Sequence, residues 1–108
     1  MRVYIASPYT FGNREENVRR QIDAAEILMN NGLYPYAPLL NHYHELVYHH
    51  SYDSWLSHDI AWLSKCDVLL RLGGDSIGAD HEIGYALSVG IPVYYSIEEL
   101  LNGLSEGI

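Results

Sequence analysis

The sequence has little cysteine, few basic residues and no long apolar run, and each shortage excludes a class of protein. The single cysteine, Cys66, excludes an internal disulfide framework and suits a reducing compartment, so we expect a cytoplasmic protein. Six Lys and Arg oppose fourteen Asp and Glu, and the net charge of −8 argues against a broad electrostatic grip on a nucleic acid polymer or an anionic membrane. The sequence shows neither a membrane-spanning run nor the pattern of a secretion signal.

The composition that remains is that of one globular domain. The chain has 108 residues, of which 48% are hydrophobic and 19% are charged, and this balance excludes disordered and coiled-coil proteins. A globule of this length buries about two thirds of its unfolded surface, which is enough for a core without disulfides or metals. We therefore expect residues 1–108 to form a single domain.

Short apolar segments alternate with helical patterns along the chain. The β-favouring segments at 3–6, 33–37, 67–72 and 92–95 predict strands, and Pro35 indicates an edge position for the second. Helical patterns begin near 13, 55, 79 and 96. Residues 38–54 are rich in Tyr and His and predict either a long functional loop or a short helix with loops.

The first helix has the clearest signals of start, face and end. Asn13 followed by Glu16 is typical of a capping box, and Gly32 is typical of a helix end. The residues spaced for one apolar face are Val18, Ile22, Ala25 and Met29. We expect that face to pack on the sheet.

Strands that alternate with helices imply a parallel sheet with right-handed crossovers. The expected fold class is therefore α/β, a single-domain doubly wound sheet of the Rossmann or flavodoxin type. It should have four or five mostly parallel strands with helices on both faces. Such sheets bind ligands beyond the carboxyl ends of their strands, near the point where the strand order reverses.

Asp59 is the first candidate for chemistry. It shares a helical stripe with Trp55, Trp62 and Cys66. A carboxyl group one turn from two tryptophans is partly desolvated, which raises its pKa and favours a role in carrying or accepting a proton. The alternative is an Asp on the helix surface beside half-exposed aromatic side chains.

Glu82 is the second candidate. The sequence predicts a helix from about Ala79, which places Glu82 in the first turn, where the helix dipole favours the ionised form that a nucleophile or base needs. Ala79 and Ala86 share its face and leave space for a ligand. The alternative is a first-turn acidic residue that only stabilises the helix.

A glycine-rich loop, residues 73–78, precedes that helix. Its backbone N–H groups can bind a phosphate, and the Ser76 hydroxyl can add a donor. The loop lacks the lysine of a P-loop and the three spaced glycines of a dinucleotide site. The alternative is a simple turn in which Ser76 caps the helix.

The six histidines do not form a metal-binding pattern. None has the spacing of a structural zinc site, so we expect no metal and favour a histidine that reaches a sugar hydroxyl or a phosphate. Among the tyrosines, Tyr4 lies near the end of the first strand and is the best candidate for a pocket wall.

Three stretches together resemble the nucleoside 2-deoxyribosyltransferase superfamily, including its deoxynucleoside 5′-monophosphate N-glycosidase branch and small phage and bacterial members. They are VYIASP at 3–8, DIAWL at 59–63 with CDV at 66–68, and SIGADHEIGYAL at 76–87 followed by GIPV at 90–93. The third is the most specific, because its serine, glycines, glutamate and alanine fall at the family's spacing.

The resemblance implies a role for each matching residue. Glu82 matches the catalytic glutamate, and Asp59 matches its acidic partner. Ser76, six positions before Glu82, matches the serine that helps to hold the 5′-phosphate in the hydrolases. The hydrolases' arginine after the first strand has no clean counterpart, because Thr10 stands near that place and Arg14 comes later. The residues expected to bind substrate are Tyr4, Ser7, Ser76 and Gly78.

The implied activity is cleavage of the base–sugar bond of a small (deoxy)nucleoside or its 5′-monophosphate, by an N-glycosidase or a deoxyribosyltransferase that needs no cofactor. In the implied retaining mechanism Glu82 forms a glycosyl ester at C1′, and Asp59 assists departure of the base or activates the incoming acceptor. Such carboxyl groups lie about 5 Å apart. The resemblance also implies a homodimer or a larger homo-oligomer.

Two other functions fit the same residues. The first is a non-catalytic nucleotide-binding or regulatory module of the same fold. The second is a partner-binding protein whose interface is the Tyr- and His-rich stretch at 42–52. The presence of both Asp59 and Glu82 favours an enzyme over the non-catalytic module.

Overall fold

The computed structural model describes residues 1–106 and contains one four-stranded sheet with the order β2-β1-β3-β4. All three strand pairings are parallel. The strands are β1 (Arg2–Ala6), β2 (Tyr34–Tyr36), β3 (Val68–Arg71) and β4 (Val93–Tyr94). The predicted α/β class and parallel sheet are confirmed, and Pro35 lies on an edge strand as predicted.

Within residues 1–106, five α-helices connect and cover the strands. They are α1 (Arg14–Asn30), α2 (Asn41–Val47), α3 (Tyr52–Leu63), α4 (Ile77–Ser88) and α5 (Ile97–Glu106). A 3₁₀ turn at Pro38–Leu40 precedes α2. None of the helices in residues 1–106 is long and apolar enough to cross a membrane.

The sheet is covered on both faces because alternate residues of its central strands point to opposite sides. On one face Val3 and Ile5 pack with Leu28 of α1 and Leu100 of α5. On the other face Tyr4 and Ala6 pack with residues of α3 and α4, namely Leu63, Ala79 and Ala86. This two-sided burial explains why β1 and β3 read as nearly continuous apolar runs.

The predicted apolar face of α1 is wrong by about one residue. Ile22 and Met29 are exposed, and the buried residues are Val18, Gln21, Ala24 and Leu28. Gln21 is buried because its side-chain amide donates to the Ile5 carbonyl and to Ser7 Oγ, while its Oε1 accepts from the Leu39 N–H. A polar side chain with all these partners can occupy the core, and no hydrophobic pattern identifies it.

Two helices begin earlier than the sequence predicts. Ser51 caps α3, which starts three residues before Trp55, and Ser76 caps α4, which starts at Ile77. In each case the serine hydroxyl accepts a backbone N–H three residues later. The 38–54 region is the short helix α2 with loops, which is one of the two predicted alternatives.

Candidate active site

A cavity of about 380 Å³ opens at the carboxyl ends of β1 and β3. This is where the strand order reverses, the location expected for a ligand in a doubly wound sheet. Its walls come from the segment after β1, from α2, from α3 and from the start of α4. The volume falls within the range of small-molecule sites.

Glu82 lines the cavity and is almost completely buried, with 7% of its surface exposed. Burial raises the pKa of its carboxyl to about 8, and the negative charge of Asp59 adds to this, whereas the Tyr4 hydrogen bond and the Arg71 charge lower it. The expectation that the helix dipole keeps Glu82 ionised is wrong. Because α4 begins at Ile77, the acidic residue of its first turn is Asp80, and Glu82 lies beyond the reach of the dipole.

Asp59 lines the same cavity from α3. Burial raises the pKa of its carboxyl to about 7, as the sequence predicts. Its Oδ1 is buried and has no hydrogen-bond partner among residues 1–106. A buried acceptor without a partner favours the protonated carboxyl or a donor on a bound ligand.

The surroundings of Asp59 differ in part from the prediction. Trp55 lines the cavity, but Trp62 does not, because its half-exposed ring stacks on Tyr36 with the ring centroids 5.5 Å apart. Of the two tryptophans, only Trp55 shares the cavity with Asp59.

Tyr4 is fully buried in the central strand β1, and its hydroxyl donates a hydrogen bond to Glu82 Oε2. Burial and the nearby carboxyl groups raise the Tyr4 pKa well above its ordinary value, so the phenol stays a donor. The structure places Tyr4 behind the carboxyl group and not on the cavity surface. It therefore supports a contact of Tyr4 with Glu82 and not the predicted pocket-wall role.

The other three predicted binding residues all line the cavity. Ser76 Oγ accepts from the Ala79 N–H, so the predicted capping role is real and its hydroxyl proton remains free to donate. Ser7 Oγ accepts from Gln21 Nε2 at 2.8 Å and likewise retains its proton. At Gly78 a Cβ would lie 3.6 Å from the Tyr52 hydroxyl, an ordinary contact.

Tyr9, His42 and Arg14 line the cavity, and the sequence did not single them out as a group. The Tyr9 hydroxyl and His42 Nδ1 are hydrogen-bonded at 2.5 Å, and the Arg14 guanidinium lies 5.3 Å from the centre of the Tyr9 ring. Arg14 begins α1 and reaches the cavity although it comes later in the chain than the arginine of the hydrolases. Only the tertiary fold shows that the Arg14 side chain is close enough to line the cavity.

The sequence profile of the family described as nucleoside 2-deoxyribosyltransferase matches residues 3–105. The chain belongs to this family. No protein among the curated sequences matches the chain significantly.

Two solved structures show the same fold. A 2-deoxyribosyltransferase from Bacillus psychrosaccharolyticus superposes with a TM-score of 0.68 and 24% identity, over 86% of this chain and 69% of that one. A 2-deoxyribosyltransferase from Leishmania mexicana superposes with a TM-score of 0.65 and 17% identity, over 85% of this chain and 61% of that one. At these identities the likeness shows the α/β fold alone.

In this member of the deoxyribosyltransferase family the outer cavity wall is the Tyr- and His-rich stretch. Glu45 accepts hydrogen bonds from the His50 N–H at 2.6 Å, from Trp55 Nε1 at 2.9 Å and from His49 Nδ1 at 2.9 Å. These bonds, the His50 N–H first, lower the pKa of Glu45 to about 2. An ionised Glu45 therefore fastens the loop between α2 and α3, and all four residues line the cavity.

Proposed function

We propose that the protein cleaves the base–sugar bond of a small (deoxy)nucleoside or its 5′-monophosphate through a covalent intermediate on Glu82. The chain belongs to the deoxyribosyltransferase family, whose enzymes act on nucleosides. The observation that carries the proposal is that Glu82 and Asp59, from separate helices, line one cavity with raised pKa values. Perturbed carboxyl groups in a shared cavity are typical of acid–base and nucleophilic sites.

The proposed reaction has two balanced steps. In the first, a Glu82 carboxylate oxygen bonds to C1′ while the C1′–N bond breaks, and the base leaves with a proton from Asp59. In the second, water or another base attacks C1′, the ester bond breaks, and Asp59 recovers a proton from the acceptor. Tyr4 binds Oε2 of Glu82, so Oε1 is the oxygen available for attack.

The pair of carboxyl groups can hold the single proton that this mechanism requires. The mechanism needs Glu82 ionised and Asp59 protonated, which is one proton on two carboxyl groups. The pKa of Asp59 is about 7 and that of Glu82 is about 8, so between these values the pair holds one proton, mainly on Glu82 in the free protein. This proton passes to Asp59 before Glu82 attacks C1′. We expect kcat/KM to follow a bell-shaped pH profile with its maximum between about 7 and 8.

Hydrogen-bond donors at the cavity support binding of a substrate that carries a 5′-phosphate. Arg14 supplies a positive charge, and the start of α4 supplies backbone N–H groups and the Ser76 hydroxyl. We expect the monophosphate to have the lower KM. Arg14→Met should remove that advantage, whereas Arg19→Met should not, because Arg19 pairs with Asp23 on the exposed side of α1.

The test of the function is release of free base. Wild type and Glu82→Gln are incubated with deoxynucleosides and their monophosphates, with and without a second base, and the products are separated by chromatography. Glu26→Gln is the matched control, since Glu26 is exposed on α1. We expect release by wild type and Glu26→Gln only, and a deoxyribosyl adduct on the peptide that contains Glu82.

Equal background release by wild type and Glu82→Gln across the panel would contradict the proposal. Thermal stabilisation by nucleotides without turnover would then favour the non-catalytic binding module. The absence of both would favour a partner-binding protein.

We also propose that the protein forms a homodimer or larger homo-oligomer. The support is the exposed apolar surface of α2 and the residue after it, where Tyr43, Leu46, Val47 and Tyr48 each expose 60% or more of their surface. Sedimentation velocity should give a mass above that of the 12.3 kDa chain, and a 12.3 kDa species at all concentrations would contradict this.

A further inference from the structure

Three successive backbone carbonyls between β3 and α4 each accept a hydrogen bond from an arginine. Arg71 Nη1 donates to the Leu72 carbonyl, and Arg71 Nη2 donates to the Gly74 carbonyl at 2.6 Å. Arg20 Nη1, from α1, donates to the Gly73 carbonyl at 2.6 Å. Two guanidinium groups therefore hold the whole turn at 72–74.

Pro8 packs against the same turn at Gly74. Gly74 has a φ of +118°, and a Cβ built on it would lie 2.8 Å from Pro8 Cγ. The turn therefore contacts Pro8 and is hydrogen-bonded to the two arginines. Only glycine can occupy this position without a shift of the backbone.

Arg71 is a buried cation in the last position of β3, with 8% of its surface exposed. It pairs in register with Ala6 and lies on the face of the sheet that carries Tyr4 and Leu69, which α4 covers. A buried guanidinium is unfavourable unless its donors are satisfied. Here two of its nitrogens bind the turn, and Asp80 of α4 lies 3.8 Å away.

We propose that Arg71 is a positioning residue of the active site, which together with Arg20 fixes the turn at 72–74 and so sets the start of α4. Ser76, Gly78 and Glu82 all face the cavity from that helix or its cap. A displaced turn would move all three together. The consequence for turnover rests on the glycosyl transfer proposed above, whereas the consequence for the turn does not.

Arg71 also acts on the charge of Glu82. Among residues 1–106, the ionisable groups that interact electrostatically with Glu82 are Tyr4 from β1, Tyr36 from β2, Tyr52 and Asp59 from α3, and Arg71 from β3. Arg71 is the cation of this set, and it lowers the pKa that burial raises. Removal of its charge should move the Glu82 limb of the pH profile to higher pH.

The variants are Arg71→Lys, Arg71→Met and Arg20→Met, with Arg19→Met as the matched control. Arg19 is the neighbour of Arg20 on α1 and pairs with Asp23 instead of the turn. We expect kcat to fall about 10- to 100-fold in Arg71→Met and less in Arg71→Lys, because small displacements in a site cost this much. The limb of the kcat/KM pH profile that reports on Glu82 should stay at its wild-type pH in Arg71→Lys and move to higher pH in Arg71→Met.

Amide hydrogen exchange without substrate tests the turn directly. We expect faster exchange at residues 72–79 in Arg71→Met and Arg20→Met, and wild-type exchange in Arg19→Met. If Arg71→Met does not fold, Arg71→Lys and Arg20→Met carry the comparison. Unchanged exchange in folded variants would overturn the proposal whatever the activity.

The two proposals fail separately. Wild-type protein without turnover contradicts glycosyl transfer and leaves the exchange result standing. An active protein whose Arg71 variants keep the wild-type kcat, KM and pH limb contradicts the positioning role alone.

Discussion

The two sides of the cavity are built differently. The inner side, formed by the segment after β1, by α3 and by α4, holds Asp59 and Glu82, and Glu82 is hydrogen-bonded there to Tyr4 of the central strand. The outer side consists of the seven-residue helix α2, which has exposed apolar side chains, and of the loop after it. Hydrogen bonds to Glu45 connect this loop and Trp55 of α3 to α2. Under the function proposed above, the inner side would carry the reactivity and the outer side the selectivity.

The largest expected effect concerns the second carboxyl group of the inner side. Asp59→Asn removes the proton donor for the leaving base, and we expect kcat to fall about 10²- to 10⁴-fold. The measurement is base release under saturating substrate. Asp53→Asn, six residues earlier on α3 and outside the cavity, should keep the wild-type kcat. Similar losses in both variants would contradict a specific role for Asp59.

The inner side should also control how stability depends on pH. Burial raises the folded-state pKa of Glu82 to about 8 and of Asp59 to about 7, above their unfolded values. A raised carboxyl pKa stabilises the fold fully below the unfolded value, and this stabilisation is lost as pH rises through the folded value. We expect the free energy of unfolding to fall by a few kcal/mol between pH 5 and pH 8.

Denaturant unfolding at several pH values measures this change. Glu82→Gln should flatten the profile, because the variant has no proton to lose at this position. A protein that grows more stable from pH 5 to pH 8 would show that these two carboxyl groups do not dominate the dependence.

Tyr4→Phe tests the link between the sheet and the catalytic carboxyl group. Because the hydrogen bond lowers the pKa of Glu82, its loss should move the acidic limb of kcat/KM to higher pH. It should also reduce stability by about 1–3 kcal/mol, since a buried group loses its partner. Tyr34→Phe, at an exposed position of β2, is the control. An unchanged limb in Tyr4→Phe would contradict the positioning of Glu82 by Tyr4.

The smallest expected effect is on the outer side. Glu45→Gln weakens the bonds to His49, His50 and Trp55, so we expect KM to rise several-fold while kcat changes little. Steady-state kinetics with several bases would show whether selectivity changes too. A large loss of kcat with an unchanged KM would contradict the division between the two sides.

The local parts of the fold could be predicted from the sequence. Asn13 and Ser96 accept the backbone N–H groups expected of helix caps, and Pro35 lies on an edge strand. These features depend on neighbouring residues alone. The buried face of α1 could not be predicted, because Gln21 is buried by partners in β1 and in the segment before α2.

The same distinction holds in the candidate site. The residue types and spacing singled out Glu82 and Asp59, and five of the six predicted site residues line the cavity. The ionisation of Glu82 was predicted in the wrong direction, because the prediction placed it in a first turn and could not include its burial. Arg14 and the residues of α2 line the cavity because the tertiary fold brings α1 and α2 next to it, and sequence spacing does not show this.

The sequence by itself determined the class of the fold, the order of its strands and helices, and the two acidic residues that carry the proposed chemistry. These follow from periodicity, caps and motif spacing, all of which act over a few residues. Only the tertiary structure decided which groups surround Glu82, how its proton is held, and which arginines fasten the turn before α4. Electrostatic and hydrogen-bond partners depend on distance in space, and residues far apart in sequence supply them here.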